Sequence, residues 1–127
     1  MIRYSICVTG HREFSDYDLL ARSLDDVIEA KGAPTSIMHG GAPGADALAS
    51  RFAYERKIDL DIRGALWGRY GSKAGPIRNQ SMRDSLIADD VVVAFPGANS
   101  RGTWHMVNIC LAAELEVLVI SRPEVAP

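Results

Sequence analysis

Short runs of consecutive apolar residues alternate along this chain with longer segments in which apolar residues recur every three or four positions. Uninterrupted apolar runs are typical of strands buried on both faces, and the wider spacing is typical of amphipathic helices. The runs predict five strands, at residues 4–9, 36–39, 59–63, 90–95 and 116–120. The third is more polar than the others, so we expect it near an edge of the sheet.

The segments between the strands predict helices, and the first is expected to follow an N-cap at Ser15 or Asp16. The second follows Gly44, while the third and fourth cover about residues 76–88 and 103–115. This alternation favours an α/β fold of the Rossmann-like, three-layer kind, with a mostly parallel five-stranded sheet and helices on both faces. We expect one domain over residues 1–121 and a short C-terminal tail, 122–127.

Composition narrows the classes of partner. The 127 residues carry a formal charge of −2, and 47% of them are hydrophobic. This balance gives no overall attraction to nucleic acid or to an anionic membrane, so a phosphate site must be local. We find no apolar run as long as a membrane span and no signal-peptide pattern. Cys7 and Cys110 lie in apolar runs and are expected to be buried free thiols, which fits a cytoplasmic protein.

Three glycine-rich turns follow predicted strands, and the carboxyl ends of parallel strands are where such sheets bind ligands. The first glycine turn (residues 9–12) contains Gly10, His11 and Arg12. Gly10 lets the backbone approach a ligand, and Arg12 suits bidentate contact with phosphate. The alternative is a tight turn with a solvated arginine. His11 is a candidate general acid or base, or else an exposed hydrogen-bond donor.

The second glycine turn (residues 40–46) contains Gly40, Gly41, Gly44 and Asp46. Its glycines are expected to expose amides at a helix N-terminus, where the helix dipole also favours an anion. The pattern is neither the G-x-G-x-x-G fingerprint nor a P-loop. Asp46 is either an acidic residue of the first helical turn, a ribose ligand or a candidate catalytic group. His39, at the strand end, is expected to be a structural histidine.

The third glycine turn (residues 96–103) contains Pro96, Gly97, Arg101, Gly102 and Thr103. It joins the most apolar strand to the last helix. Backbone amides and the Thr103 hydroxyl predict a second anion site here. The alternative is a flexible connection.

The connection at residues 64–75 is long, and long connections without structure of their own are often functional. In it, Trp67 and Tyr70 are candidates to stack on a base, or to anchor the loop to the core. Arg78 and Asn79 follow in the expected first turn of a helix, where a positive charge opposes the helix dipole. A phosphate, or a paired carboxylate, would resolve that conflict, and we favour the phosphate.

Searches for other chemistry find little. The histidines at 11, 39 and 105 show no metal-ligand spacing, and no serine lies in a G-x-S-x-G elbow. We therefore expect neither a metal site nor a serine nucleophile.

Taken in order, these motifs resemble the SLOG superfamily, which is Rossmann-like and includes the lonely-guy hydrolases, and most closely its small YspA-type branch of bacteria and tailed phages. The matching stretches are VTGHR (8–12), HGGA with GAD (39–42 and 44–46), residues 67–79 with Met82, and AFPG with GT (94–97 and 102–103). The resemblance implies a nucleotide-related ligand and a homo-oligomer, a dimer or higher. The residues it implies for the site are Gly10, Arg12, Gly41, Asp46, Arg78, Asn79, Gly97, Gly102 and Thr103.

Two departures from the family pattern bear on activity. The family usually has a tight Pro-Gly-Gly-x-Gly-Thr loop, whereas residues 98–101 separate Gly97 from Gly102 here. The lonely-guy hydrolases also carry a glutamate three residues after the Gly-Thr pair, which takes part in cleaving the N-glycosidic bond. Met106 occupies that position and cannot do acid–base chemistry. Glu114 lies about two turns further along, and we do not assume that it substitutes.

The sequence therefore favours a protein that captures or senses a nucleotide derivative, such as a mononucleotide, an ADP-ribose-like species or a cyclic species. It would require no cofactor, and its ligand would be a nucleotide or nucleotide sugar. The alternative is an enzyme, a nucleotide N-glycosidase or phosphoribohydrolase that uses Asp46 or His11. A DNA-processing role is the weakest hypothesis, because the chain lacks a basic stripe. No membrane is expected as a partner.

Overall fold

The computed structural model describes residues 3–121, and the predicted C-terminal tail, 122–127, lies outside the described residues. The strands are β1 (Ser5–Gly10), β2 (Ser36–His39), β3 (Asp59–Ile62), β4 (Val91–Phe95) and β5 (Glu116–Val119). The helices are α1 (Tyr17–Lys31), α2 (Ala45–Arg56), α3 (Trp67–Tyr70), α4 (Ala74–Ser85) and α5 (Arg101–Ala112), with a 3₁₀ turn at Gly71–Lys73.

The five strands form one sheet in the order β3-β2-β1-β4-β5, and each neighbouring pair is parallel. This arrangement confirms the predicted α/β Rossmann-like fold. The more polar strand, β3, lies at an edge, as expected. The order reverses between β1 and β4, where Gly10 is in register with Phe95. In open α/β sheets such a switch point is where ligands bind.

Alternate residues of each central strand face opposite layers, so the sheet separates two apolar cores. In β1, Ile6 and Val8 pack with α1 and α2, while Cys7 packs with α4 and α5. All the residues of β4 are buried, because both of its faces are covered. Cys7 and Cys110 are buried free thiols of the second core, which confirms the prediction for both.

Helix boundaries agree with the sequence in some places and differ in others. Asp16 is the N-cap of α1, and its carboxylate accepts from the Leu19 amide at 3.1 Å. The connection at 64–75, predicted as an unstructured loop, contains α3 and the 3₁₀ turn. In addition, α4 begins two residues before Pro76. A proline in the first turn costs no hydrogen bond, since those amides have no partner within the helix.

The most consequential difference is at α5, which begins at Arg101 instead of the predicted Thr103. Gly102 and Thr103 therefore lie in the first turn of a helix. Among residues 3–121, no helix is long and apolar enough to span a bilayer.

Candidate ligand-binding cavity

A cavity of about 760 Å³ opens at the carboxyl edge of the sheet, beside the switch point between β1 and β4. All three glycine turns contribute to its lining, together with α4 and α5. Twelve of the fifteen predicted ligand residues line it: Gly10, His11, Arg12, Gly40, Gly41, Asp46, Trp67, Arg78, Asn79, Arg101, Gly102 and Thr103. The other three, Gly44, Pro96 and Gly97, are not among the lining residues.

The lining is cationic although the chain as a whole is acidic. Three arginines, Arg12, Arg78 and Arg101, face a single carboxylate, that of Asp46. Arg12 and Arg101 are exposed, and within residues 3–121 neither side chain makes a hydrogen bond or a salt bridge. This cavity is therefore suited to an anion.

The second glycine turn uses its own amides. The Gly40 and Ala42 amides donate to one oxygen of Asp46, Oδ2, at 3.0 and 3.2 Å, and the Gly41 amide donates to His39 Nδ1 at 2.9 Å. The sequence predicted that these amides would be exposed to an anion. For residues 40–42 that prediction is wrong, because the Asp46 carboxylate and the His39 ring accept from these amides in place of an anion.

Burial raises the pKa of Asp46 to about 6, and it outweighs the Ala42 amide, the Arg78 guanidinium and the Gly40 amide, which lower that pKa. The second carboxylate oxygen, Oδ1, has no hydrogen bond within the described part of the chain. His39 is buried too, and its Nε2 lies 2.6 Å from Ser50 Oγ. Burial lowers the pKa of His39, and so does Arg78. The prediction of a structural histidine is confirmed.

The backbones of the first and second glycine turns are in contact at Gly44, which has a φ of +79°. A Cβ there would collide with the His11 carbonyl, so Gly44 is required by packing. A Cβ at Gly97 would likewise meet the His11 ring. The ring is held at its other side, where Nδ1 accepts from the Glu13 amide at 3.3 Å. His11 is thus a fixed part of the cavity wall.

The third glycine turn leaves its amides open. Ser100 is the N-cap residue of α5, but its hydroxyl accepts from the Gly97 amide at 2.6 Å, and no side chain in the described part of the chain caps the helix. The first amides of a helix have no partner within the helix, so those of Arg101, Gly102 and Thr103 remain available at the cavity. The space around Gly102 is open, since a Cβ there would meet no atom within 4 Å.

Arg78 and Asn79 join the two turns. Arg78 donates from Nη1 to the Gly40 carbonyl at 2.6 Å and from Nε to Asn79 Oδ1 at 2.9 Å. Asn79 in turn donates to the Gly102 carbonyl at 3.1 Å. Because α4 begins at Ala74, Arg78 lies beyond the first turn. The predicted conflict with the helix dipole is therefore wrong, and Arg78 is held by a carbonyl.

The lining also contains residues that were not predicted as ligand contacts, and Ser100 and His105 are among them. His105 was considered only as a metal ligand, and no group of three or more metal-binding side chains occurs in the described range, 3–121. The signal that would have found it is helical spacing, because His105 lies one turn after Gly102. Trp67 is at the rim, 56% exposed, with its ring against Gly75. Tyr70 does not line the cavity.

Comparison with known proteins agrees with these motifs. The model of the YspA, cpYpsA-related SLOG family matches residues 4–70. The Gene 61 protein of Mycobacterium phage D29 is 30% identical over 118 residues, which cover 89% of this chain and 93% of the phage protein. This chain belongs to the YspA, cpYpsA-related SLOG family. No solved structure matches it.

As a member of this SLOG family, the chain lacks a carboxylate at the position where the lonely-guy resemblance places one. Met106 is fully buried in the second core, beneath the cavity, with Cys7 and Met82. Glu114 has a φ of +62° and lies just beyond the C-terminal end of α5, away from the lining residues. Asp46 is thus the carboxylate among the described residues that borders the cavity.

Proposed function

We propose that this protein binds a nucleotide derivative and holds its phosphate at the N-terminus of α5. The observation that carries the proposal is the combination, in one cavity, of an uncapped twelve-residue helix and three arginines. The positive end of a helix dipole and open amides stabilise an anion, and arginine adds bidentate contacts. Membership of the SLOG family supports a nucleotide as the source of that phosphate.

Gly102 supports the same position for the phosphate. Glycine within a helix is less favourable than alanine, by up to about 1 kcal/mol. Neither a positive φ nor a close neighbour requires glycine at residue 102. A ligand that approaches the backbone closely would account for it, as in other phosphate-binding turns.

The rest of the ligand would extend across the cavity, whose volume of about 760 Å³ is within the usual range for small-molecule sites. Trp67, at the rim, presents an exposed indole on which a base would stack. We propose a cytoplasmic protein that needs no cofactor. Assembly into a dimer or higher oligomer stays a prediction.

The test is a binding panel of AMP, ADP-ribose and adenosine, followed by thermal shift and calorimetry. We expect AMP and ADP-ribose to bind and adenosine to bind far more weakly, because it has no phosphate. Arg101→Ala should weaken AMP binding about tenfold, the size expected for loss of a charge-assisted hydrogen bond. Arg22→Ala removes an exposed arginine of α1, away from the cavity, and is the matched control. Equal affinity for AMP and adenosine would contradict the proposal.

A second candidate function is hydrolysis of the N-glycosidic bond, and the state of Asp46 favours it. Its carboxyl group borders the cavity with one oxygen free of hydrogen bonds in the described chain, and its pKa is raised to about 6. A base with a pKa near neutrality is suited to proton transfer. Asp46 would take a proton from water as the water oxygen bonds to ribose C1′ and the bond from C1′ to the base breaks.

Chromatography of the same mixtures separates the two functions. Release of free base by the wild type, lost in Asp46→Asn while AMP still binds, would establish the hydrolase. Binding without release of base supports capture alone. If release persists in Asp46→Asn but is lost in His11→Phe, then His11 is the acting group.

A further inference from the structure

His105 lies in α5, one turn behind the amides to which we assign the phosphate, and it borders the cavity. Side chains of a helix lean toward its N-terminus, so the imidazole is directed back over the first turn. One ring nitrogen, Nδ1, lies 3.1 Å from Asn79 Nδ2. The other, Nε2, has no hydrogen bond to any residue in the range 3–121.

The orientation of the Asn79 amide is fixed from two sides. Its oxygen accepts from Arg78 Nε at 2.9 Å, and its nitrogen donates to the Gly102 carbonyl at 3.1 Å. If the amide were flipped, its NH₂ group would face the Arg78 donor and its oxygen would face the Gly102 carbonyl, so both hydrogen bonds would be lost. Asn79 is only 3% exposed, so water cannot readily replace either contact.

The fixed amide determines which nitrogen of His105 carries the proton. Asn79 Nδ2 has only hydrogens to offer, so His105 Nδ1 must be the acceptor and carry no proton. A neutral imidazole then has its proton on Nε2. Nε2–H is consequently a donor at the edge of the cavity, with no partner among residues 3–121.

We propose that His105 is a ligand-contacting residue which, as a neutral imidazole oriented by Asn79, donates a hydrogen bond from Nε2 to an oxygen acceptor of the bound ligand. This inference rests on the proposed binding function and adds a determinant of specificity to it. A neutral donor favours an acceptor oxygen and rejects an amino group at the same place. Asn79 acts through His105 and is a positioning residue.

The acceptor oxygen has two sources, the phosphate and the ribose, and two probes distinguish them. Inorganic phosphate presents only phosphate oxygens, whereas AMP presents both kinds. Weaker binding of both probes in His105→Phe would assign the contact to phosphate. Weaker binding of AMP alone would assign it to the ribose.

The first experiment measures the tautomer directly, without ligand, by ¹H–¹⁵N correlation spectra of the histidine rings. We expect the proton of His105 on Nε2 in the wild type. Asn79→Asp replaces the donor by an acceptor and should move a proton onto Nδ1. Asn108→Asp, the same change at an exposed position of α5, should leave the His105 spectrum unchanged. His39 is an internal reference, because its Nδ1 accepts from the Gly41 amide in every variant.

The second experiment measures affinity for AMP and for inorganic phosphate. His105→Phe keeps a ring of similar size without a donor and should weaken binding about tenfold or more. His105→Gln places an amide donor near the position of Nε2 and should restore much of the affinity. If His105 had only a structural role, His105→Phe would lower the unfolding temperature, and His105→Gln would not selectively restore the affinity for AMP and phosphate.

The outcomes separate the two proposals. A wild-type spectrum with the proton on Nδ1, or unchanged affinity in His105→Phe, would overturn the role of His105 and leave nucleotide binding standing. Failure of the wild type to bind either probe would overturn the proposed function, and the ligand role of His105 with it. If Asn79→Asp does not fold, the wild-type spectrum and His105→Phe decide.

Discussion

The second and third glycine turns both join a buried central strand to a helix at the same edge of the sheet, yet they use their amides in opposite ways. In the second, Asp46 and His39 accept from three consecutive amides, those of residues 40–42. In the third, Ser100 accepts from one amide, that of Gly97, and the N-cap side chain does not cap α5, just as Gly44 does not cap α2. The second glycine turn is therefore closed, since these amides are paired within the chain, and the third is open to a ligand.

The difference teaches that a glycine-rich turn after a strand is not by itself an anion site. Buried amides are almost always paired, so the question is which group pairs them. An acidic side chain six residues after the first glycine, as Asp46 is, supplies a partner from within the chain. Where no such side chain follows, the partner must come from water or a ligand.

The largest expected effect tests the closed turn. Asp46→Asn keeps an oxygen that accepts from Gly40 and Ala42, whereas Asp46→Ala leaves both amides unpaired. We expect the alanine variant to be less stable than the asparagine variant by about 3 kcal/mol, measured by urea unfolding. The same two substitutions at Asp26, an exposed residue of α1, are the control and should differ little. Equal stabilities at position 46 would mean that the amides are not held by the side chain.

The second prediction concerns the pH dependence of the closed turn. Burial raises the pKa of Asp46 from 3.8 to about 6, so between these values the folded protein binds a proton that the unfolded chain has released. Raising the pH through this window therefore lowers the free energy of unfolding, by up to about 3 kcal/mol.

Asp46→Asn should lack this component and be the more stable protein at pH 7. The lowered pKa of His39 gives a slope of opposite sign, which is common to both proteins and cancels in the difference. The measurement is urea unfolding of the two proteins at a series of pH values. A constant difference from pH 4 to pH 7 would contradict the raised pKa.

The third prediction tests the open turn through Gly102. Gly102→Ala should raise the free energy of unfolding by about 1 kcal/mol, because the residue is helical and the space around it is empty. The same methyl group should obstruct a phosphate and weaken AMP binding about tenfold. Gly68→Ala, in α3 and outside the cavity lining, is the control for binding. Unchanged AMP affinity would move the phosphate away from α5.

The smallest expected effect concerns the hydrogen bond between the Gly97 amide and the Ser100 hydroxyl in the third glycine turn. Ser100→Ala removes the acceptor for the Gly97 amide and should cost about 1 kcal/mol in urea unfolding. AMP binding should weaken modestly, since the free amides of α5 remain. Ser81→Ala, at an exposed position of α4, gives the comparison for a serine without that contact. A loss in binding larger than that of Gly102→Ala would show that Ser100 itself contacts the ligand.

Much of the fold could be predicted from the sequence because strands buried on both faces leave a clear pattern. The strand at 36–39 was predicted with its observed boundaries, and the edge position of β3 followed from its polar residues. Helix starts were less predictable. The local sequence around Gly102 predicts a loop, whereas the structure places this residue in the first turn of α5.

Most residues proposed for the site could also be found, since three strand ends of a parallel sheet must meet at one edge. Their roles could not. Arg78 was interpreted as a free charge awaiting a phosphate, but its partners, Gly40 and Asn79, become apparent only when α4 lies beside the second turn. Helical spacing from Gly102 could have placed His105 at the cavity, but its contact with Asn79, 26 positions away, could not be predicted.

The sequence by itself determined the α/β fold, the family and the edge of the sheet at which the glycine turns meet and the cavity opens, because these follow from local periodicity and from short motifs. The tertiary structure alone decided which turn is closed and which is open. That outcome depends on where the Asp46 carboxylate and the Ser100 hydroxyl are directed once the helices pack. Hydrogen bonds need alignment within a few tenths of an ångström, and a linear pattern of residue types does not contain that information.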